Sequence, residues 1–283
     1  MQDESVLLKN IEMLGDEYIR EHISGLNRER LEQNWWEALK FFFSRSFMRG
    51  RNDELSNRYY NFTIAVLMDY FDIDEKEIES AYARLTGQRS LFKDAKTLKK
   101  KSLKNYPEFK DIAVSNSIIK ALTAERKKIK DALPLGNVGD IVMVLEVLNF
   151  ITENDQHKNI YNYLLRKIEK MSSIGEAYQE LNDIKYVGDK IASFVIRDIL
   201  LLNPQISIKD SEYEFAFPVD TWVNQIADRL GCKKKTIEET KKCLIAKSIE
   251  NGINTFKFAA GLWYLGFNSL QVLLDEFLGQ FEF

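Results

Sequence analysis

The sequence predicts an all-α protein, and three observations carry that prediction. Apolar residues recur at helical spacing along almost the whole chain. Only 13 of the 283 residues are Gly and 4 are Pro, about half the usual share of turn-formers. Capping signatures open several of the helical runs.

Taken in order, helices are expected at about 4–24, 29–49, 53–71 and 75–87, with Asp74-x-x-Glu77 as a capping pair for the last. Residues 88–113 are more broken and polar and carry a lysine run at Lys96, Lys99, Lys100, Lys101 and Lys104. Helical spacing resumes at about 114–132, 138–153, 157–171 and 174–182, the last behind a capping box at Ser173-x-x-Glu176. The next helix runs from Gly188 to about Leu202, where Asn203-Pro204 ends it, because Pro cannot continue a helix and restricts the residue before it. Residues 203–217 form the longest stretch without helical periodicity. Helices return at about 220–230, 237–250 behind Thr236-x-x-Glu239, 253–264 and 268–280. No solenoid repeat and no low-complexity tract interrupts this order.

Composition narrows the chemistry. With 40 Lys+Arg against 43 Asp+Glu the net charge is −3, so a nucleic-acid partner would have to meet a local basic patch. Two histidines (His22, His157) and two cysteines (Cys232, Cys243) exclude a four-cysteine or three-histidine metal site and a four-cysteine iron–sulfur cluster. Catalysis is left to lysines, carboxylates and hydroxyls. So few cysteines suit a reducing compartment. The segment MQDESVLLKN shows no apolar secretory core, and IVMVLEVLNF and SFVIRDILLL carry charges and fall short of a membrane span. The length allows one large domain or two small ones.

The most informative stretch is 181–231. LNDIKYVGDKIASFVIRDILL reads as a short helix, a tight hairpin around Val187-Gly188 and a new helix. Unpaired N–H groups at such a helix start, beside a Gly, suit a DNA phosphate. An ordinary helix–helix turn with water on those donors fits the same residues. Lys190 lies in the first turn of the new helix, where the positive helix end disfavours a protonated ammonium. A neutral amine at pH 7 needs its pKa lowered from about 10.4, at about 4 kcal/mol, and lysines tuned this way act as nucleophiles and Schiff-base formers. A solvated Lys on an outer face is the plain alternative. Asp220, in Phe217-Pro218-Val219-Asp220-Thr221-Trp222, precedes an amphipathic helix and is read as its N-cap, bonded to the N–H of Trp222 or Val223. The same bonds keep a carboxylate ionised, as needed beside a developing positive charge.

A hairpin of the form V-G-x-K-x-A followed by P-V-D-T resembles the helix–hairpin–helix DNA glycosylase superfamily. The longer Lys-to-Asp connection and the missing cluster cysteines are more similar to its archaeal 8-oxoguanine glycosylase branch. The motif similarity covers 181–231. It implies that Lys190 matches the nucleophilic lysine and Asp220 the catalytic aspartate of the bifunctional members. It also implies that carbonyls of Asn182, Ile184 and Val187 can hold a monovalent cation facing phosphate, beside DNA contact at Val187 and Gly188. No other cofactor is implied. The departures are specific. The usual L-P-G-V-G reads Ile184-Lys185-Tyr186-Val187-Gly188 here, and Trp222 stands where a His is common.

The resemblance further implies that a damaged base is extruded from the duplex. Phe194, one turn beyond Lys190, and Trp263 are the candidates for its two aromatic faces, and Trp222 and Gln33 are further substrate contacts. A core role for the two aromatics and a surface role for Gln33 remain open. Lys233 and Lys234, with Lys235, are the basic residues best placed for phosphate, while the 96–104 run and ERKKIK at 125–130 read equally as solvated faces.

The implied architecture is two helical subdomains, 33–203 and 1–32 plus 211–283, with Lys190 and Asp220 on opposite walls of a cleft. The implied function is a monomeric bifunctional 8-oxoguanine DNA glycosylase/AP lyase of the cytoplasm or nucleus, acting on double-stranded DNA, without membrane attachment. A glycosylase for another lesion and a non-catalytic DNA- or protein-binding module are the alternatives.

Overall fold

The computed structural model describes residues 4–48, 53–96, 115–125, 131–171 and 173–268. The described chain is helical, with no strand among its residues. Its α-helices are α1 (Glu4–His22), α2 (Arg28–Gln33), α3 (Trp35–Ser46), α4 (Asp53–Tyr70), α5 (Ile78–Gly87), α6 (Ser117–Thr123), α7 (Val138–Glu153), α8 (Ile160–Met171), α9 (Gly175–Asp183), α10 (Asp189–Leu202), α11 (Thr221–Arg229), α12 (Ile237–Glu250) and α13 (Thr255–Phe267). Short 3-10 turns lie at Arg89–Lys96, Asp155–His157 and Asp210–Ala216.

Most departures from the expected boundaries trace to side chains that compete for backbone donors. The run at 29–49 is two helices, because the Asn34 side chain accepts from the N–H of Trp36 at 2.9 Å and of Glu37 at 3.2 Å and starts α3 afresh. Asp74 closes a turn instead of opening α5: its carboxylate takes the Lys76 N–H at 2.8 Å and its carbonyl the Glu77 N–H at 3.1 Å. Within the described residues of the 114–132 expectation the helix is α6, capped by Asn116, while 114 and 126–130 lie outside the described residues. The expected capping box of α9 is replaced by a distant carboxylate. Glu212, from the 3-10 turn at Asp210–Ala216, accepts from Ser173 Oγ at 2.5 Å and from the Ile174 N–H at 2.9 Å. The cap at Thr236 forms as expected, on the Glu239 N–H at 3.1 Å. The helix expected at 268–280 lies outside the described residues beyond Asn268.

Contacts divide the chain into two compact units. One gathers Met1–Arg28, Ile168–Tyr178 and Ala192–Phe283, the other Glu29–Lys167 and Gln179–Ile191. The boundary thus falls inside α10, not after it at 203, because Phe194, Arg197 and Asp198 on that helix pack with Tyr18 and Trp263 of the first unit. In that unit α1 and α13 approach backbone to backbone. A Cβ on Gly261 would lie 1.8 Å from the Ile11 carbonyl oxygen, so no larger residue fits. The second unit is built on side chains. α7 is buried over nearly its whole length, as a helix apolar all round must be. Trp35 donates its indole N–H to Ile78 O at 3.0 Å, and Tyr82 its hydroxyl to Ile151 O at 2.7 Å. No helix among the described residues is long and apolar enough to cross a membrane.

Candidate functional site

The turn between α9 and α10 is a tight hairpin. Ile184 N–H bonds Leu181 O at 3.2 Å, Val187 N–H bonds Ile184 O at 2.8 Å, and Ile191 N–H bonds Gly188 O at 2.9 Å. Ile184 and Val187 face inward, while Lys185 and Gly188 are exposed. The residue that bends the chain is Tyr186, at φ +68°, in the position that the usual pattern gives to Gly. Its ring lies against Gly139 at the start of α7, where a Cβ would come within 3.3 Å. Gly188 needs no special backbone, and a Cβ there would meet nothing within 4 Å. What Gly188 offers is open space before the first turn of α10, where helix N–H groups have no partner within the helix. Of the three carbonyls implied for a cation, that of Ile184 already accepts the Val187 N–H, which leaves it one lone pair.

Lys190 occupies the first turn of α10, half-buried, with Nζ donating to the Met48 carbonyl oxygen at 2.9 Å. That bond fixes the position of the amine.

Asp220 is the N-cap of α11. Its backbone is extended (φ −114°, ψ −170°) and its Oδ1 accepts from the Val223 N–H at 2.9 Å. Phe217 and Val219, both buried, fix the approach to it. Lys190 and Asp220 belong to different units, and each geometry stands within its own.

Phe194 and Trp263 are brought together, yet not as two faces with a base-width gap. Their ring centroids are 5.7 Å apart and tilted by 50°, and both rings are buried. A base held between two parallel rings needs them about 7 Å apart. Trp263 also stacks on Phe267 at 5.0 Å and 11°. In this conformation the pair is core packing, and reading a base would require the rings to part. Behind them Arg197 is fully buried with its guanidinium 4.3 Å from the Phe194 ring centre and 4.5 Å from that of Tyr18. Asp198 Oδ1 accepts from Arg197 Nε at 3.0 Å and Nη2 at 2.8 Å, and Asp198 Oδ2 accepts the Tyr18 hydroxyl at 2.7 Å. Burial opposes the charge on Arg197, but the Tyr18 and Asp198 oxygens outweigh it and raise its pKa.

The remaining candidates scatter. Trp222 is 46% exposed, whereas Trp35, Trp36 and Trp263 are buried. Gln33 is exposed and donates Nε2 to Glu29 Oε1 at 3.2 Å, a bond within α2 that leaves it a surface residue here. Lys233 and Lys234 are exposed; Lys233 lies 3.6 Å from Asp228, and the Lys234 N–H bonds Thr240 Oγ1 at 3.0 Å. Lys99 to Lys104 and residues 126–130 lie outside the described residues.

A cavity of about 600 Å³ beside the hairpin is lined by Glu146, Glu153, Glu180, Asp183 and Lys185 among others. Its carboxylates suit a cation and repel phosphate, and Lys190 is not among its lining residues. Among the described residues no group of His, Cys, Asp and Glu has the makings of a metal site.

Three features escaped sequence reasoning. The left-handed Tyr186 was signalled by the Gly missing from the hairpin pattern. Cys232 and Cys243, too few for a metal site, are joined as a disulfide with Cα atoms 5.4 Å apart, and the scarcity of cysteines does not argue for reduced thiols here. The Tyr18–Arg197–Asp198 cluster spans 180 residues from Tyr18 to Asp198 and leaves no local signal. No protein-family model matches the sequence, and comparison with curated proteins and with solved structures gives no match.

Proposed function

We propose that the chain is a bifunctional DNA glycosylase/AP lyase that removes an oxidised purine, 8-oxoguanine, from double-stranded DNA. The observation that supports it most is the hairpin between α9 and α10, which sets open space at Gly188 beside a half-buried Lys190 in the first turn of α10. A phosphate at the helix start would hold the strand, and the damaged nucleotide would have to leave the stack to be reached.

Lys190 Nζ, as free base, attacks the anomeric carbon while the bond from that carbon to the base breaks and the base leaves with the bonding pair. Asp220, held in place by the Val223 N–H, balances the positive charge that grows on the sugar. Loss of a proton from nitrogen and opening of the sugar give a Schiff base. The iminium acidifies the adjacent carbon, so the 3′ phosphate departs by β-elimination. No metal or redox cofactor is needed for these steps, and a monovalent cation on the hairpin carbonyls would serve the phosphate alone. A monomer in the compartment that holds the genome suits this chemistry.

Borohydride trapping on an 8-oxoguanine duplex tests the proposal. A covalent adduct that disappears in Lys190→Gln is the expected result. Base release with no adduct in the wild type would assign another mechanism, and duplex binding with neither would leave a DNA-binding module. Asp220→Asn should retain folding and lose excision by about 10²- to 10³-fold; full activity in that variant removes Asp220 from the chemistry.

A further inference from the structure

α11 has two distinct faces. Val223 and Ala227 are buried, and Trp222, Gln225 and Arg229 are exposed. Positions i, i+3 and i+7 share one stripe, so an aromatic, an amide and a cation line up along the solvent side. Lys233, Lys234 and Lys235 follow just beyond its C-terminus, all exposed. The disulfide from buried Cys232 to Cys243 on α12 ties the loop that carries them.

Trp222 is held in place despite its exposure. A Cβ on Gly266 would lie 2.4 Å from the Trp222 Cβ, so α13 supports the base of that side chain closely. The neighbouring Phe267 is 40% exposed as well. Two half-exposed aromatics beside the Asp220 cap, with cations at the far end of the same helix, form a stacking surface joined to a phosphate surface. Nucleobases offer a π face whatever their identity, and single strands are held by this pairing of aromatics and cations.

The geometry points to the exposed stripe of α11 as a track for one DNA strand, with Trp222 stacked on an unpaired or unstacked base and Arg229 with Lys233–Lys235 on the phosphates. The inference presupposes the DNA-acting function proposed above. Nine residues at 1.5 Å each make α11 about 13 Å long, the span of about four nucleotides at 3.4 Å apiece. Asp228 would give up its contact with Lys233, an exposed pair that contributes little. An apolar protein partner fits less well, because the stripe turns polar and then cationic within two turns of Trp222.

The test uses the full chain, a fluorescein-labelled twelve-nucleotide oligothymidine and an 8-oxoguanine duplex. Because the other three tryptophans are buried, Trp222 should dominate quenching of intrinsic fluorescence by the oligonucleotide. Trp222→Ala should abolish that quenching and weaken oligothymidine binding about tenfold, while Trp222→Phe retains most of the affinity. Arg229→Gln should lower the slope of log affinity against log salt by about 0.7 on the single strand. If the wild type binds and excises but Trp222→Ala binds equally well, the track is wrong and the glycosylase stands. If the wild type binds neither probe, both fall. Self-association that Trp222→Ala abolishes at unchanged DNA affinity would also overturn the track, in favour of a contact between copies.

Discussion

Two turns of this chain adopt the same left-handed backbone by different means. Gly231 stands at φ +67° in the loop before the Lys233–Lys235 run, and Tyr186 at φ +68° in the hairpin before Lys190. Gly enters this region without steric cost, whereas a residue with a Cβ pays about 1–2 kcal/mol. The Gly231 turn is also fixed covalently, by the Cys232–Cys243 disulfide. The Tyr186 turn relies on its own hydrogen bonds and on the ring against Gly139. One loop is built for rigidity, the other carries strain beside the proposed nucleophile, and backbone strain concentrates where a site must be held in a set shape.

The disulfide is the largest difference to break. Cys243→Ser closes no loop across the 11-residue separation and should cost about 2–3 kcal/mol in urea unfolding, with reducing agent giving the same loss in the wild type. An unchanged midpoint under reduction would show that the loop is held without it. Next, Gly231→Ala should cost about 1–2 kcal/mol from conformation alone, since a Cβ there meets nothing within 4 Å. Tyr186 should invert the usual ranking. Tyr186→Ala loses the ring and keeps the strain, and Tyr186→Gly loses the ring and relieves it, so the Gly variant should be the more stable by about 1–2 kcal/mol, as at Gly231. The opposite order would place the turn's stability elsewhere.

An alkaline titration serves as the control with the smallest effect on the comparison. Burial pushes Tyr60 and Tyr82 up to about 12, with Glu37 adding to it for Tyr60 and Asp155 and Glu79 for Tyr82. Both titrate in the unfolded chain near 10, so the folded state holds its protons more tightly. Their contribution is complete below pH 10 and lost between about 10 and 12. Variants at either turn should shift the whole stability curve without altering its slope there, and Tyr60→Phe should flatten it.

The difference between the turns was only half legible in advance. A hairpin at Val187-Gly188 and a helix stop at Asn203-Pro204 follow from local chemistry, and so do the caps at Asp220 and Thr236, because each is decided within four residues. The left-handed bend at Tyr186 is not decided so locally, because the ring of Tyr186 rests against Gly139 on α7. Asn34 sits inside a run of unbroken helical spacing, and only its side-chain bonds to two backbone donors divide that run.

By itself, the sequence determined the all-α class, most helix positions and the lysine and aspartate at their respective helix starts. Hydrophobic period and capping act over a turn or two, and tertiary packing does not need to be known for them. Tertiary structure alone decided that Glu212 caps α9, that Cys232 meets Cys243, that Phe194 and Trp263 touch, and that Trp222 stays exposed while three other tryptophans are buried. Each of these depends on which helix face meets which partner, and that is set by the summed burial of many side chains, beyond the reach of any local pattern.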